Sequence, residues 1–503
     1  MDVTDTRNPK RWWILIVLCL SALVLVIDNF VLAVAVPPLA EDLNASAQDI
    51  QWILDSYILV FAGLLLTSGS LADRFGRRRV MLIGLVLFGV ASLGATLATS
   101  PIEMIIARIV MGIGGALVLP STLSILITVF DDDERRKAMS FWSAASVLGL
   151  VGGPVLGGVL IAHFWWGAAF LINIPVAAVA IIAALVLMPE SKGPWTKPDV
   201  PGAVLSMIGM TALVWTIIEF PNAGFDHAST LITLAIAVVA LVAFLVWETR
   251  VEHPMVPLQL FRNRDFSGGS LSLTLVQVAN GGLLLVLTQY LQFVLGYSPT
   301  KAGLAFIPMM LASIVCNGLG AGLGTKVGNR TLAVTGMLIS TVGLGLLASL
   351  SADSGFGMLA LALVVLGAGA GLAQPAAIAA LMSAVPTEQA GVGSALNDTI
   401  QQAGAALGIA VLGSILSSTF TSTMPDSAPE IAKHSISDAL ALAAATGDSA
   451  LLSTAREAFT SAMSASFLAG GAGILSGAIV ALFVMRNKKP AQAEGIEEAA
   501  LVK

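Results

Sequence analysis

Three carboxylic acids lie inside long apolar segments of this 503-residue sequence, where charged side chains are rare. Asp28 lies deep in the first apolar segment, Asp55 near the outer mouth of the second, and Asp398 in the inner part of the thirteenth. A medium of low dielectric constant penalises a charged carboxylate, and either a proton or a bound cation removes that penalty. The two ligands therefore compete for one acid, which is the physical basis of proton-for-cation exchange. A buried hydrogen-bonding role is the alternative for each acid.

A stripe of polar side chains surrounds the third acid. Asn397, Asp398, Gln401 and Gln402 are spaced so that they share one face of a helix. Such a stripe on an apolar helix predicts contact with a wet cavity or with a partner helix, and interhelical hydrogen bonding is the alternative to a binding site. Asn397 and Gln401 are therefore candidate cavity-lining residues.

One basic residue and three aromatic residues accompany the first two acids. Arg108 is the only Lys or Arg placed deep inside an apolar segment, so it must pair with an acid or line water, and we expect the acid to be Asp28. An ion pair that only holds two helices together is the alternative. Trp52, Tyr57 and Phe61 could bind an organic cation through their ring faces, although their spacing is also that of an ordinary packed face.

The elements that position these side chains are predicted to be membrane-spanning helices. A hydrophobic content of 56%, a charged content of 11% and a mean hydropathy of +0.89 exclude an ordinary soluble protein. Apolar stretches long enough to span a bilayer as helices recur along the whole chain. The sequence predicts fourteen of them: 13–39, 50–72, 80–98, 102–130, 138–162, 167–188, 200–220, 229–249, 266–295, 299–325, 331–350, 355–384, 392–416 and 461–485.

The distribution of basic residues predicts the orientation of the chain. Of the 25 Lys and Arg residues, Lys301, Lys433 and Arg456 fall in outer segments and Arg108 falls in a span, whereas the others lie on the inner side. Basic residues accumulate on the cytoplasmic side of a membrane, so both termini are predicted inside, which requires an even number of spans. The net charge of −6 and this clustering give no indication of a nucleic-acid partner.

The fourteen segments group as six, two and six. A long outer segment at 417–460 contains two Ala- and Leu-rich runs, 436–445 and 449–459, which predict a short helical hairpin outside the membrane. Its apolar face has to pack against the protein or the lipid surface, because two short helices alone are marginally stable. The predicted units are a cytoplasmic tail at 1–12, an N-terminal bundle at 13–190, an extra helix pair at 191–265, a C-terminal bundle at 266–485 and a cytoplasmic tail at 486–503.

A short basic loop joins the second and third apolar segments. Gly69, Asp73, Arg74, Gly76 and Arg77 belong to it. Moving its arginines into hydrocarbon costs much free energy, so they mark one side of the membrane.

The fifth apolar segment is crowded with small residues and carries a proline. Gly149, Gly153, Pro154, Gly157 and Gly158 lie within ten positions. Small residues let helices approach closely, and proline bends a helix. The segment predicts a tight, sliding interface between the two bundles, with close packing alone as the alternative.

Four of these segments resemble signatures of the fourteen-span drug:proton antiporters of the major facilitator superfamily, the QacA-like group. They are the run 27–37, the basic loop, the run 108–120 and the glycine-rich fifth segment. The resemblance implies an all-α polytopic protein with the major facilitator fold, in which two six-helix bundles and two extra helices give fourteen spans with cytoplasmic termini. It also implies that the loop and the fifth segment govern conformational change and that the Arg108 segment takes part in proton coupling. Ala33 and Met111 depart from the family pattern, which usually has Asn and Gln there.

The resemblance implies a proton-coupled multidrug efflux antiporter of the bacterial inner membrane that exports lipophilic organic cations, such as quaternary ammonium compounds, ethidium-like dyes and fluoroquinolones. Asp28, Asp55, Arg108 and Asp398 are its candidate proton-coupling and cation-binding residues; relatives that export organic cations carry Asp at the position of Asp55. An exporter of tetracycline, a lipid or an amino acid shares the fold and motifs, and a non-transporting membrane scaffold is a further alternative. The sequence shows no nucleophile–base set, metal-ligand cluster or phosphate loop, so we expect no enzymatic activity, cofactor or metal. We expect a monomer in the bilayer.

Overall fold

The computed structural model describes residues 9–130, 132–192, 199–223, 227–252, 254, 256, 258–385 and 390–485. Every regular element in these ranges is helical. They include a 3-10 turn (Leu258–Arg262) and a π segment (Tyr290–Val294). The α-helices are α1 (Arg11–Asp42), α2 (Ala47–Phe75), α3 (Arg77–Thr96), α4 (Pro101–Val129), α5 (Asp132–His163), α6 (Ala168–Leu171), α7 (Asn173–Leu187), α8 (Val200–Ala223), α9 (Ala228–Glu248), α10 (Arg264–Gln289), α11 (Pro299–Ala305), α12 (Ile307–Val327), α13 (Asn329–Ala348), α14 (Phe356–Ser383), α15 (Ala390–Thr423), α16 (Glu430–His434), α17 (Ile436–Thr446) and α18 (Ser449–Val484).

Most of these helices are long enough to cross a membrane. Within the described ranges, twelve helices have the length and hydropathy of a span, or thirteen when the two parts of α2, which meet at 53°, are counted as one. The fifth predicted segment, 138–162, falls on α5, which is not one of the twelve. The all-helical, multi-pass architecture is therefore confirmed, and the count of fourteen spans stays a prediction.

Buried apolar side chains collect in two main cores. One is built mainly from α1 to α7, the N-terminal half, and the other from α10 to α18, the C-terminal half. Ile409 and Ala410 of α15 join the first core, so the two halves touch along α2 and α15. Without a hydrophobic driving force between helices in lipid, this close packing is what associates them.

The extra pair of helices lies beside the line where the two halves meet. α8 and α9 pack on each other, and α8 also packs against both α2 and α15. Trp215 of α8 makes an edge contact with Trp52 of α2, with ring centroids 5.3 Å apart. Ser414 of α15 donates to the Ile217 carbonyl of α8 at 2.8 Å. α8 therefore bridges one helix from each half.

The outer segment differs from the predicted pair of short helices. α15 continues to Thr423, α16 and α17 follow, and the predicted second arm at 449–459 is the beginning of α18, which continues to Val484. Because residues 449–468 contain no Gly or Pro, nothing interrupts this helix before it reaches the span. The short helices bury four apolar side chains in the second core: Ala432, Ile436, Ala439 and Ala443.

Candidate functional site

Asp28 and Arg108 form an ion pair inside the N-terminal half, the pairing that the sequence predicted. Arg108 Nη1 lies 2.6 Å from Asp28 Oδ2, and each side chain is only 1% exposed. Asn173 Nδ2 donates to Asp28 Oδ1 at 2.8 Å and to Ser92 Oγ at 3.2 Å. Each oxygen of Asp28 therefore accepts from a buried donor, which offsets the free-energy cost of burying the charge.

Helices α1, α3, α4 and α7 bring this group together. Asn173 and Ser92 were not predicted, because neither is charged and neither belongs to a polar stripe along a helix. Asn173 begins α7, a helix whose other residues are almost all apolar. An isolated amide beside an apolar run was the signal that could have indicated it, because a polar group in lipid needs a partner.

The aromatic residues near the acids contact the protein itself. The Arg108 guanidinium lies over the ring of Tyr57 at 4.2 Å, and Phe61 stacks on Tyr57 with centroids 5.6 Å apart. Arg108 Nε also donates to the Ile53 carbonyl at 3.3 Å. Trp52 instead packs against α8. Of the three predicted cation-binding rings, Tyr57 therefore faces the protein's own cation, and Phe61 packs on Tyr57.

Asp55 lies about two turns into α2, and its place at an outer mouth stays a prediction. Its side chain is 0% exposed, and neither carboxyl oxygen has a hydrogen-bond partner among the described residues. Gln51, one turn earlier on the same face of α2, lies so close to Gly413 of α15 that a Cβ there would collide with its amide. Asp55 therefore lies on the side of α2 that faces α15.

Amide side chains form a cluster in the C-terminal half. Gln401 Oε1 accepts from Gln374 Nε2 at 3.0 Å and from Gln277 Nε2 at 3.4 Å. Asp398, one turn earlier on α15, accepts from its neighbour Asn397 at 3.0 Å. The predicted stripe thus divides into an acid with its neighbouring amide and a three-helix amide cluster. Gln374 of α14 was not predicted, because α14 otherwise appears as a plain apolar helix.

The basic loop links three parts of the N-terminal half. Arg77 Nη2 lies 2.7 Å from Asp73 Oδ1, and Arg77 Nη1 donates to the Ser124 carbonyl of α4 at 3.2 Å. Gly76 has a φ of +112°, and a Cβ there would lie 2.7 Å from the Glu190 carboxylate that follows α7. Only glycine adopts this conformation in this space without strain.

Gly69 and Arg74 complete the loop motif. A Cβ on Gly69 would lie 4.0 Å from Pro120 of α4, and the Arg74 guanidinium lies 5.0 Å from the centroid of the Phe75 ring. We refer to the end of the bundle that holds this loop as the basic end, and to the opposite end, which holds α16 and α17, as the hairpin end.

The small residues of α5 face both halves. A Cβ on Gly149 or Gly157 would lie 2.8 or 3.0 Å from atoms of α1, and one on Gly158 would lie 2.6 Å from the backbone of α11 in the C-terminal half. The Pro154 carbonyl lies against α11 as well, and Gly153 is buried. This is a close interface between halves, as the residue types predicted.

The halves also touch through hydrogen bonds at the hairpin end. Gln292 Nε2 donates to the Val34 carbonyl at 3.0 Å, and Thr300 Oγ1 donates to the Gly158 carbonyl at 2.7 Å. A cavity of about 50 Å³ lies here between α1, α2, α10, α15 and the short helices α16 and α17. It has room for a few water molecules and not for a dye. In the described part of the chain, no group of three or more His, Cys, Asp or Glu side chains could hold a metal ion.

Comparisons with known proteins agree with this architecture. The sequence profile of the Major Facilitator Superfamily matches residues 18–409. The tetracenomycin C resistance and export protein of Streptomyces glaucescens is 34% identical over 409 residues, 81% of this chain and 76% of that protein. The multidrug efflux pump LfrA of Mycolicibacterium smegmatis is 35% identical over 415 residues, 82% of each chain.

A solved structure shares the fold. A bacterial homologue of the human lysosomal transporter Spinster, in an inward-facing and unoccupied conformation, matches with a TM-score of 0.69 over 95% of this chain and 99% of that chain. The sequence identity is 19%.

Proposed function

The chain belongs to the Major Facilitator Superfamily, and from this premise we propose that it is a proton-coupled multidrug antiporter that exports lipophilic organic cations. It is a multi-pass protein of the bacterial inner membrane, and its relatives include a drug-export protein and a multidrug efflux pump. A transport cycle needs no covalent step, so we propose no enzymatic activity. We propose a monomer, because one chain holds both halves that alternating access requires.

The observation that carries the proposal is the burial of Asp55, without a hydrogen-bond partner among the described residues, on the side of α2 that packs against α15. Moving a charged carboxylate into such a place costs far more free energy than moving the neutral acid. The halves can therefore close over Asp55 when it carries a proton and are kept apart while it is charged. A return step that requires a proton couples proton entry to drug export.

The conformation fits one stage of that cycle. We propose that the basic end faces the cytoplasm, since arginines and lysines accumulate on that side. The halves touch at the hairpin end through Gln292 and Thr300. With this orientation the outer side is closed, as it is after the proton-dependent return step.

The three acids then have different roles. Asp28 already has Arg108 as its cation and organises the polar centre of the N-terminal half. Asp398 is half-buried near the basic end of α15 and accepts one hydrogen bond, from Asn397. We assign Asp398 to the first contact with a cation that enters from the cytoplasm. Asp55 is the acid that we assign to proton exchange.

A dedicated antibiotic exporter is the second candidate. The tetracenomycin C export protein is 34% identical to this chain and the multidrug pump 35%, so the comparisons weigh both equally. The amides of Gln277, Gln374 and Gln401 offer donors and acceptors to an uncharged molecule. Resistance of a pump-deficient host to cationic dyes and to neutral antibiotics separates the candidates. Tetracycline can be added to the compounds tested. A non-transporting membrane scaffold would confer resistance to none of them.

The test uses purified protein in proteoliposomes with ethidium and an imposed proton gradient. Wild type is expected to accumulate ethidium against its concentration gradient while the proton gradient lasts. Asp55→Asn resembles the neutral acid without needing a proton, so we expect it to equilibrate ethidium but not to accumulate it. Asp353→Asn, an exposed acid before α14, is the matched control. Full accumulation by Asp55→Asn would remove Asp55 from coupling, and no ethidium movement by wild type would refute cation transport.

A further inference from the structure

We propose that Gln292 is the latch of the closed hairpin end, and that Pro38 of α1 creates the acceptor that the latch needs. Gln292 lies in the π segment of the C-terminal half, and Pro38 lies in the N-terminal half. The proposal uses the alternating-access part of the proposed function and adds a gating residue outside the proton and drug sites.

The acceptor follows from the sequence of α1. In an α-helix the N–H of each residue donates to the carbonyl four residues earlier. Because residue 38 is proline and has no N–H, the Val34 carbonyl has no donor within its own helix. Val34 is 0% exposed. A buried carbonyl without a donor is destabilising, so the closed state needs a donor from elsewhere.

The donor is Gln292, whose Nε2 lies 3.0 Å from the Val34 oxygen. Two contacts fix its π segment to the C-terminal half. The Tyr290 hydroxyl donates to the Ser351 carbonyl at 2.7 Å, and Arg456 Nε of α18 donates to the Phe293 carbonyl at 3.3 Å. The π segment thus holds the Gln292 amide at the surface that meets α1, and π segments occur often at functional positions.

The second hydrogen bond between the halves differs in kind. Thr300 donates to the Gly158 carbonyl, but position 162 is alanine, whose N–H can donate to that carbonyl within α5. Loss of Thr300 leaves that acceptor satisfied, whereas loss of Gln292 leaves the Val34 carbonyl with none. When the hairpin end opens, water can reach the Val34 carbonyl. Gln292 therefore stabilises the closed state specifically.

The readout is the distance between the two halves at the hairpin end. Spin labels are placed on Glu41→Cys at the end of α1 and Asp353→Cys before α14, both exposed, in full-length protein with Cys19 and Cys316 replaced by alanine. Pulsed electron paramagnetic resonance in liposomes gives the ratio of open to closed molecules. This ratio does not depend on which drug is exported, so a failed latch is distinguishable from a failed antiport.

Gln292→Met keeps the length of the side chain and removes the donor. We expect it to raise the open-to-closed ratio about tenfold, the factor for one unsatisfied buried acceptor. Gln292→Asn, whose shorter side chain holds its amide farther from Val34, is a second variant with the same expected direction. Gln289→Met is the matched control, because among the described residues the Gln289 amide donates to the Leu285 carbonyl of its own helix, at 3.2 Å, and to no carbonyl of the other half; we expect no shift.

The decisive experiment restores the backbone N–H that is missing at residue 38. Pro38→Ala supplies a donor to the Val34 carbonyl, so Gln292→Met in that background is expected to shift the ratio less than about twofold. Pro37→Ala supplies a donor to the carbonyl of residue 33 instead, and should leave the tenfold effect intact. The proposal is overturned if neither Gln292 variant shifts the ratio, if Pro37→Ala also cancels the shift, or if the shift survives Pro38→Ala unchanged.

Discussion

Removal of the positive partner of Asp28 is the perturbation whose effect the structure defines most closely. Arg108→Met keeps an unbranched side chain but deletes the guanidinium that lies 2.6 Å from Asp28 Oδ2 and 4.2 Å from the Tyr57 ring. Asn173 then remains as the donor to the carboxylate. Breaking a fully buried ion pair by removing one partner costs about 3–5 kcal/mol, because it leaves an uncompensated charge. We expect the free energy of unfolding to fall by about that amount.

The second substitution isolates the charge. Asp28→Asn in the same chain removes the uncompensated carboxylate, so the double variant is expected to recover most of the about 3–5 kcal/mol that Arg108→Met alone loses. Chemical unfolding in detergent, followed by the fluorescence of the nine tryptophans, measures both. Arg79→Met, with a side chain 71% exposed and 3.6 Å from Glu190, is the control and should change stability by less than about 1 kcal/mol. An Arg108→Met protein no less stable than this control, or losses that simply add in the double variant, would refute the reasoning.

Two further predictions use the same unfolding assay. Gly76→Ala should lower stability by about 2 kcal/mol, because the residue has a φ of +112° and its Cβ would meet a carboxylate; Gly94→Ala, with open space around it, should cause no loss. Ile436→Ser should lower stability by about 3 kcal/mol, because Ile436 is buried in the C-terminal core, whereas Ile431→Ser, at an exposed position of α16, should have little effect. Equal losses of stability at the two isoleucines would mean that α16 and α17 do not pack on the C-terminal half.

The pairing of Asp28 with Arg108 could be predicted because charge inside an apolar helix demands compensation. Arg108 was the only basic residue deep inside a predicted span, and few acids were available to pair with it. A neutral amide needs a hydrogen-bond partner but not an opposite charge, so many residue types can satisfy it. For that reason Asn173 and Gln374, which complete the two polar clusters, were not identified.

The burial of Asp55 could not be predicted, because it depends on how the two halves meet and not on α2 alone. Position along the helix placed Asp55 near a mouth, whereas its complete burial goes with the packing of α15 on α2. The role of Gln292 could not be predicted for the same reason, because it depends on contact between the halves. Pro38 reveals the carbonyl that lacks a donor, but the sequence of α1 contains no information about which residue of another helix supplies one. Local patterns identified the elements, and contacts between the halves determined the site.

The most direct test of proton-coupled cation export follows both ions in the same vesicles. Proteoliposomes hold a pH-sensitive dye in the lumen, and ethidium is added outside without any imposed proton gradient. Antiport predicts that ethidium entering down its gradient drives protons out, so the lumen becomes alkaline, in either orientation of the protein. Protein-free liposomes and Asp55→Asn proteoliposomes are expected to show no such pH change. Protein-dependent ethidium entry with a constant luminal pH would contradict proton coupling.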